Sequence, residues 1–415
     1  MTADARDAAV DAHYAAFPYP ARDPADEARR LIEGSPSRLA EIEHYLFRGR
    51  APRPFRALVA GGGAGDATIM LAQHMKDRNL DGEVVWLDLS PAARRVAEAR
   101  AAKRGLDRIR FVEGSLLKAR AHVGDGFDYV DCCGVLHHLE APEAGLAALR
   151  DVLTPGGGMG VMVYGALGRR GVYDMQAAIA ALAPLGLDPK ARLAVGRKLF
   201  GELPATHWLK RNPFVRDHIE GGDAGFYDLL LHARDRAYTV EALHALVASA
   251  DLGVVAFIEP ALYEPRTYLK DRDMIARADA LPPVEQAALA ERLAGLMTKH
   301  VAYLASAERA GEAAARPSDG PDLVPILRDA NGPALAKAAR QGAIVAEHMG
   351  LKLVRPLPRL APAILARVDG RTSLDEIRAD IASADPSLDP ARFAESFSAV
   401  FQALNGLNLM WLRRP

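Results

Sequence analysis

A chain of 415 residues, half of them hydrophobic and a quarter charged, is too long for a single core and has ample apolar content for two or three. Its net charge of -1 gives no global attraction for nucleic acid or an anionic membrane, so a nucleic-acid partner is not expected. Its two cysteines, Cys132 and Cys133, are neighbours, which excludes a disulfide framework or a Cys-x-x-Cys metal site. No apolar run approaches a membrane span, and residues 1–17 carry acids where a secretory signal needs a basic and then an apolar segment; a cytoplasmic location is expected.

Near the start, Ala12-His13-Tyr14-Ala15-Ala16-Phe17-Pro18-Tyr19-Pro20 interleaves aromatics with prolines, and helical text follows from Pro24 to Arg48. Residues 1–50 therefore read as an arm, either a lid over a ligand or a segment stapled to the domain by Tyr14, Phe17 and Tyr19. Next comes Phe55-Arg56-Ala57-Leu58-Val59-Ala60-Gly61-Gly62-Gly63-Ala64-Gly65-Asp66-Ala67-Thr68, an apolar run that collapses into alternating glycines and then a helical pattern. That is strand, tight turn and helix: bare backbone can approach a ligand at Gly61, Gly63 and Gly65, and the helix presents its free N-H groups. A dinucleotide fingerprint needs a small residue three positions after its second glycine. Asp66 or Thr68 stands there, which weakens the diphosphate reading.

The run Glu83-Val84-Val85-Trp86-Leu87-Asp88-Leu89-Ser90 is a second strand ending in an acid about twenty residues beyond the turn, placed to accept hydrogen bonds from a ribose diol. Ser90-Pro91 then opens a helix as cap and first-turn proline. Arg110 to Ser115 reads as a third strand, Gly126 to Leu139 as a fourth running into a loop, and Met159 to Tyr164 as a fifth after a turn at Leu153 to Gly158.

At these residues the chain resembles the class I S-adenosylmethionine-dependent methyltransferases, closely over residues 55 to 165. The resemblance implies an α/β fold, a doubly wound Rossmann-like sheet of seven strands, with S-adenosylmethionine as cofactor and S-adenosylhomocysteine as product. It implies that Gly61, Gly63 and Gly65 pass under the amino-acid end of the cofactor and that Asp88, followed by Leu89, holds the ribose. Ser115 and Leu116 would border the adenine, and Cys133 and Gly134 to Leu136 would flank the sulfonium. Two positions depart from the family pattern. Ala60 stands where many members carry an acid for the cofactor's ammonium, leaving part of that role to Asp66 or water, and Ser115 replaces an Asp that meets the adenine amino group.

Residues 166 to 237 are Ala- and Leu-rich with helical spacing and read as an insertion roofing the active site. Its Lys190, Arg192, Arg197, Lys198, Lys210, Arg211 and Arg216 read as a solvated face, with contact to an acidic substrate as the other reading. The sheet resumes with a helix capped by Thr239, a strand from Gly253 to Glu259, a helix from Pro282 to Met297 and a last, antiparallel strand from His300 to Ala305. The words Cys133 to Leu139, Tyr227 to His232 with Tyr238-Thr239, and Lys299-His300 resemble a bacterial methyltransferase group often fused to tetratricopeptide repeats, although no repeat is visible here.

Beyond residue 320, Arg359 to Ile377 alternates helix, Asp-Gly turn and capped helix. It is similar to winged-helix modules and to the regulatory C-terminal regions of bacterial protein-lysine methyltransferases. Phe393 to Leu409 holds Glu395 and no lysine or arginine, so dimerisation or substrate gating is expected there rather than DNA reading.

His137 and His138 sit beside the expected methyl position, where an imidazole can act as general base. On an extended strand at most one of two neighbours faces the cofactor, and a structural histidine is the alternative. Tyr164, His232, Tyr238 and His300 are further pocket candidates, and no metal-ligand spacing appears. The domains expected are 1–50 (arm), 51–165 (cofactor core), 166–237 (helical roof), 238–308 (completion of the sheet) and 309–415 (C-terminal winged-helix-like domain). The reading is a methyltransferase for a small-molecule or protein/peptide acceptor, with a homodimer through the C-terminal domain. Its rival is a cofactor-binding regulatory protein of weak activity.

Overall fold

The computed structural model describes residues 22–415, so Tyr14, Phe17 and Tyr19 of the arm lie outside the described residues. In chain order the first part holds α1 (Leu39–Leu46), β1 (Phe55–Ala60), α2 (Asp66–Asp77), β2 (Gly82–Asp88), α3 (Pro91–Lys103), β3 (Ile109–Glu113), α4 (Ala119–Val123), β4 (Phe127–Cys133), α5 (Pro142–Arg150) and β5 (Leu153–Gly165). Short apolar strands alternate with helices, the pattern that builds a parallel sheet covered on both faces. The Ser90 hydroxyl accepts from the Ala93 N-H with Pro91 in the first turn, as its spacing predicts. β5 begins at Leu153, so the segment read as a turn is strand, and its pairing with β4 shifts register between Phe127 and Tyr129. Glycines 156 to 158 tolerate that irregularity.

The insertion forms α6 (Val172–Leu182), α7 (Pro189–Glu202), α8 (Trp208–Arg211), α9 (Asp217–Glu220) and α10 (Gly222–Leu231), packed around their own core of Met175, Ile179, Phe226 and Leu230. Its return strand β6 (Ala237–Tyr238) pairs with the end of β5, Tyr164 opposite Ala237, so the roof is anchored at the carboxyl edge of the sheet. Arg192 is not on a solvated face. It is buried and donates to the Tyr227 hydroxyl and the carbonyls of Ala183 and Leu231, because α7 packs that side inward on α10.

The sheet is completed by α11 (Val240–Ala248), β7 (Leu252–Phe257), α12 (Arg272–Asp279), α13 (Pro283–Ala294) and β8 (Lys299–Ser306). Among the described residues its order is β3-β2-β1-β4-β5-β8-β7, with β6 beside β5 and β8 antiparallel to both neighbours. The C-terminal part holds β9 (Val324–Leu327), α14 (Gly332–Ala339), the hairpin β10 (Ala343–His348) and β11 (Leu351–Pro356), then α15 (Ala361–Leu365), α16 (Leu374–Ala384), α17 (Pro390–Gly406) and β12 (Met410–Arg413). Its hairpin precedes the three helices, and Phe397, Val400 and Leu404 of α17 share one contiguous core with Val161 and Leu246 of the sheet domain.

α1 is interior. Leu39, Ile42, Tyr45 and Leu46 pack with Tyr129 and Tyr303 of the sheet and with Trp411 of β12 in one cluster. The Tyr129 and Tyr303 hydroxyls both donate to the Pro36 carbonyl at 2.7 Å, Ser37 donates to Asp131 at 2.6 Å, and Asn408 donates to Glu41 at 3.0 Å. The segment from Pro36 to Leu46 is thus a layer between sheet and C-terminus.

Candidate active site

β1, β2 and β4 run parallel with β1 central, so their last residues, Ala60, Asp88 and Cys133, come to one edge of the sheet. The order reverses direction between β1 and β4, which is where open α/β sheets leave a ligand crevice. Each glycine of the turn has its own cause. A Cβ on Gly61 would lie 2.3 Å from Val135, one on Gly62 2.1 Å from Trp86, and one on Gly65 2.9 Å from Ala97 of α3. Gly63 differs: at φ +48° its Cβ would meet no protein atom within 4 Å. Backbone is held close on three sides and left open at Gly63.

Asp88 does the holding. Its carboxylate accepts from the Gly63 N-H at 2.8 Å and from the Ser90 N-H at 2.9 Å, while the Trp86 indole donates to the Gly63 carbonyl at 3.0 Å. Burial pushes the Asp88 carboxyl above its usual range, against the pull of those N-H groups. A carboxylate with two backbone donors keeps lone pairs for a diol. Leu89 follows, 66% exposed, a large apolar side chain left bare at the strand end. Across from it Ser115 caps a short turn by accepting from the Leu117 N-H, and Leu116 is buried beneath. On the other side Gly134, at φ +81°, donates to the Met162 carbonyl, and burial pushes the Cys133 thiol up to about 12, so it stays protonated.

Asp66 is engaged in a way its position does not announce. Arg22 contacts both its oxygens, from Nε at 2.9 and 3.0 Å and from Nη2 at 2.6 Å, and Arg100 donates to it at 2.6 Å. Arg100 also binds the Ala64 carbonyl and the buried Glu27. Burial opposes ionisation of Asp66, but the two guanidinium groups outweigh it and hold its pKa below the usual value.

His137 and His138 are not on extended strand. They lie on a 3-10 turn, Leu136–His138, with ring centroids 4.2 Å apart, so both enter one cluster instead of facing opposite ways. The His137 ring is 4.0 Å from that of Tyr164, is fully buried, and neither ring nitrogen has a hydrogen-bond partner among the described residues. His138 stacks on His232 at 3.9 Å, and its Nδ1 lies 2.8 Å from the Arg234 carbonyl. A carbonyl only accepts, so the neutral ring carries its proton on Nδ1 and leaves Nε2 unprotonated. Burial holds both pKa values below the ordinary one, most strongly at His137, with the Arg169 charge acting the same way.

The roof completes this cluster. Arg169 lies 3.7 Å over the Tyr164 ring and donates to Asp235 at 3.1 Å, which also accepts from Gln176 at 3.0 Å. Burial, reinforced by Asp235, pushes the nearby Asp228 carboxyl up to about 7. Arg169, Gln176 and Asp235 escaped the sequence reading, because nothing local signals a pair 66 residues apart, and Asp228 entered it only within the word Tyr227 to His232. Of the other candidates, Tyr164 and His232 join the cluster. His300 does not: its nitrogens face the Tyr263 hydroxyl at 3.0 Å and the Tyr238 carbonyl at 3.1 Å inside the core.

Residues 58–159 match the family model described as a methyltransferase domain. This segment is a methyltransferase domain. A 35% identical, uncharacterized protein of Synechococcus matches over 268 residues, 62% of this chain, and the chain covers only 61% of that relative's length. PKMT2 from Rickettsia typhi has the same fold at 14% identity and TM-score 0.59, over 92% of this chain and 75% of its own. Its complex with AdoHcy matches at TM-score 0.57, with 91% and 75% covered and again 14% identity. The methyltransferase domain thus spans β1 to β5 and contains the glycine turn, Asp88, Ser115 and both histidines.

Proposed function

We propose that the chain is an S-adenosylmethionine-dependent methyltransferase acting, in the cytoplasm, on a small-molecule or protein/peptide acceptor that enters beneath the helical insertion. The observation that carries this is the glycine turn locked by Asp88 in a methyltransferase domain, packed against protein at Gly61, Gly62 and Gly65 and open at Gly63. The residues fit the cofactor: Asp88 for the ribose, bare Leu89 with Ser115 and Leu116 for the adenine, and Cys133 and Gly134 beside the reacting carbon. S-adenosylmethionine supplies a methyl carbon already activated by its sulfonium. The protein then mainly aligns the acceptor and excludes water, and good alignment is worth about 7 to 11 kcal/mol. His138, with Nε2 unprotonated, is the proposed general base, and His137 packs edge-on against it while His232 stacks on it.

Calorimetric titration of the purified chain with S-adenosylhomocysteine tests the cofactor reading. Micromolar binding is expected, and binding of NAD in its place would overturn the assignment. The rival reading, binding without turnover, is separated by following S-adenosylhomocysteine release during incubation with S-adenosylmethionine and acceptor pools of small molecules or peptides.

A further inference from the structure

We propose that a cavity between the edge strand β7 and the C-terminal helix α17 binds a small planar lactam, its ring carbonyl meeting His44 and its ring N-H meeting Asn405. The cavity measures about 370 Å³ and is lined by His44 and Tyr45 of α1, Phe257 of β7, Tyr263 after it, and Phe401 and Asn405 of α17. That volume is within the range of small-molecule sites, and the lining shares no residue with the glycine turn, Asp88 or the histidine cluster. Aromatic walls set the ligand's shape. The Phe257 and Tyr263 rings are stacked, with centroids 4.1 Å apart and planes 10° from parallel, and a flat molecule extends such a stack. β7 also shifts register against β8 between Val254 and Ala256, which leaves a bulge at Val255 in the cavity wall, a distortion over-represented beside functional sites.

Hydrogen bonding sets its polar edge. The Leu412 N-H donates to His44 Nδ1 at 3.2 Å, and burial pulls the ring's pKa down to about 3, so the imidazole is neutral with its proton on Nε2. Nε2 lies 3.3 Å from Asn405 Nδ2, which is a donor too. The Met410 carbonyl, 3.0 Å from the same Nδ2, fixes that end of the amide as nitrogen, because a carbonyl only accepts. His44 is 2% exposed, so its Nε2-H is a buried donor facing another donor, with no acceptor among the described residues. At the other end of the amide, Asn405 Oδ1 accepts from no group among the described residues, since Tyr45 and Met410 both meet Nδ2. One buried donor and one open acceptor on neighbouring side chains call for a ligand with an acceptor beside a donor. A carbonyl next to an N-H in one ring supplies both.

The test is calorimetric titration of the full chain with carbostyril, a fused two-ring lactam, and with N-methylcarbostyril, which keeps the rings and the carbonyl but lacks the N-H. Wild-type protein should bind carbostyril at submillimolar concentration and the methylated ligand about tenfold more weakly, the scale of one lost hydrogen bond. Asn405→Ala should weaken carbostyril by about tenfold and bring the two ligands to equal affinity. Asn405 also holds Met410 and Tyr45, so a second variant guards against misfolding: Ala314→Leu, in the loop before β9, adds bulk to the cavity wall and leaves those bonds in place. It should lose carbostyril by about tenfold or more while unfolding at the wild-type temperature. No binding at millimolar carbostyril, equal affinity of wild type for the two ligands, or undiminished affinity in Ala314→Leu would overturn the proposal.

Discussion

Gly62 and Gly63 are neighbours with opposite consequences, and substituting each by alanine separates the fold from the site. A Cβ on Gly62 would sit 2.1 Å from Cδ1 of Trp86, a ring that is fully buried and hydrogen-bonded to Gly63 and so has nowhere to move. Overpacking of that kind costs about 1 to 3 kcal/mol and more where the neighbour is fixed. On Gly63 the added methyl meets no protein atom within 4 Å, and the cost is that of a left-handed φ of +48°, about 1 to 2 kcal/mol. Its methyl instead occupies volume left for the ligand, for which the same overpacking scale predicts a loss of about 10- to 100-fold in affinity. Thermal unfolding and titration with S-adenosylhomocysteine read the two effects independently. Gly62→Ala should unfold well below wild type, and Gly63→Ala should lose less stability, only that of its left-handed φ, but bind poorly. Gly63→Ala with wild-type affinity would refute the placement of the cofactor over this turn.

Three further outcomes are expected. Asp88→Ala, which frees the Gly63 and Ser90 N-H groups as well as removing the ribose acceptor, should lower S-adenosylhomocysteine affinity by about 100-fold or more; a change under threefold would sink its role. Once an acceptor is found, His138→Ala should lose about 100-fold in turnover with cofactor affinity retained, and the wild-type rate should already be flat above pH 7, because burial holds the ring's pKa below its ordinary value. A rate still rising between pH 7 and 8 would contradict it. Burial also pushes the Asp131 carboxyl up to about 6, so the fold holds a proton there that the unfolded chain has lost. Stability is lost as pH rises from about 4 to 6, by about 3 kcal/mol, and Asp131→Asn should recover most of that at pH 7 and little at pH 4 in urea unfolding. A pH-independent difference would refute the burial argument.

What the sequence by itself determined is local. The glycine turn, the acid closing β2, the Ser90 and Thr239 caps and the alternation of apolar strands with helices are each written within a dozen residues, and backbone sterics and capping turn them directly into structure. That was enough for the sheet, the methyltransferase domain and the place of Asp88. Tertiary structure decided everything that depends on residues far apart meeting: Asp66 gripped by Arg22 and Arg100, Arg169 on Asp235 beneath the roof, and α1 enclosed between Tyr303 and Trp411. It also decided His137 and His138, whose shared cluster follows from a 3-10 turn where a strand was expected. Charge pairing carries no sequence period, so Arg192 looks like a surface cation until the packing of α7 on α10 turns it inward.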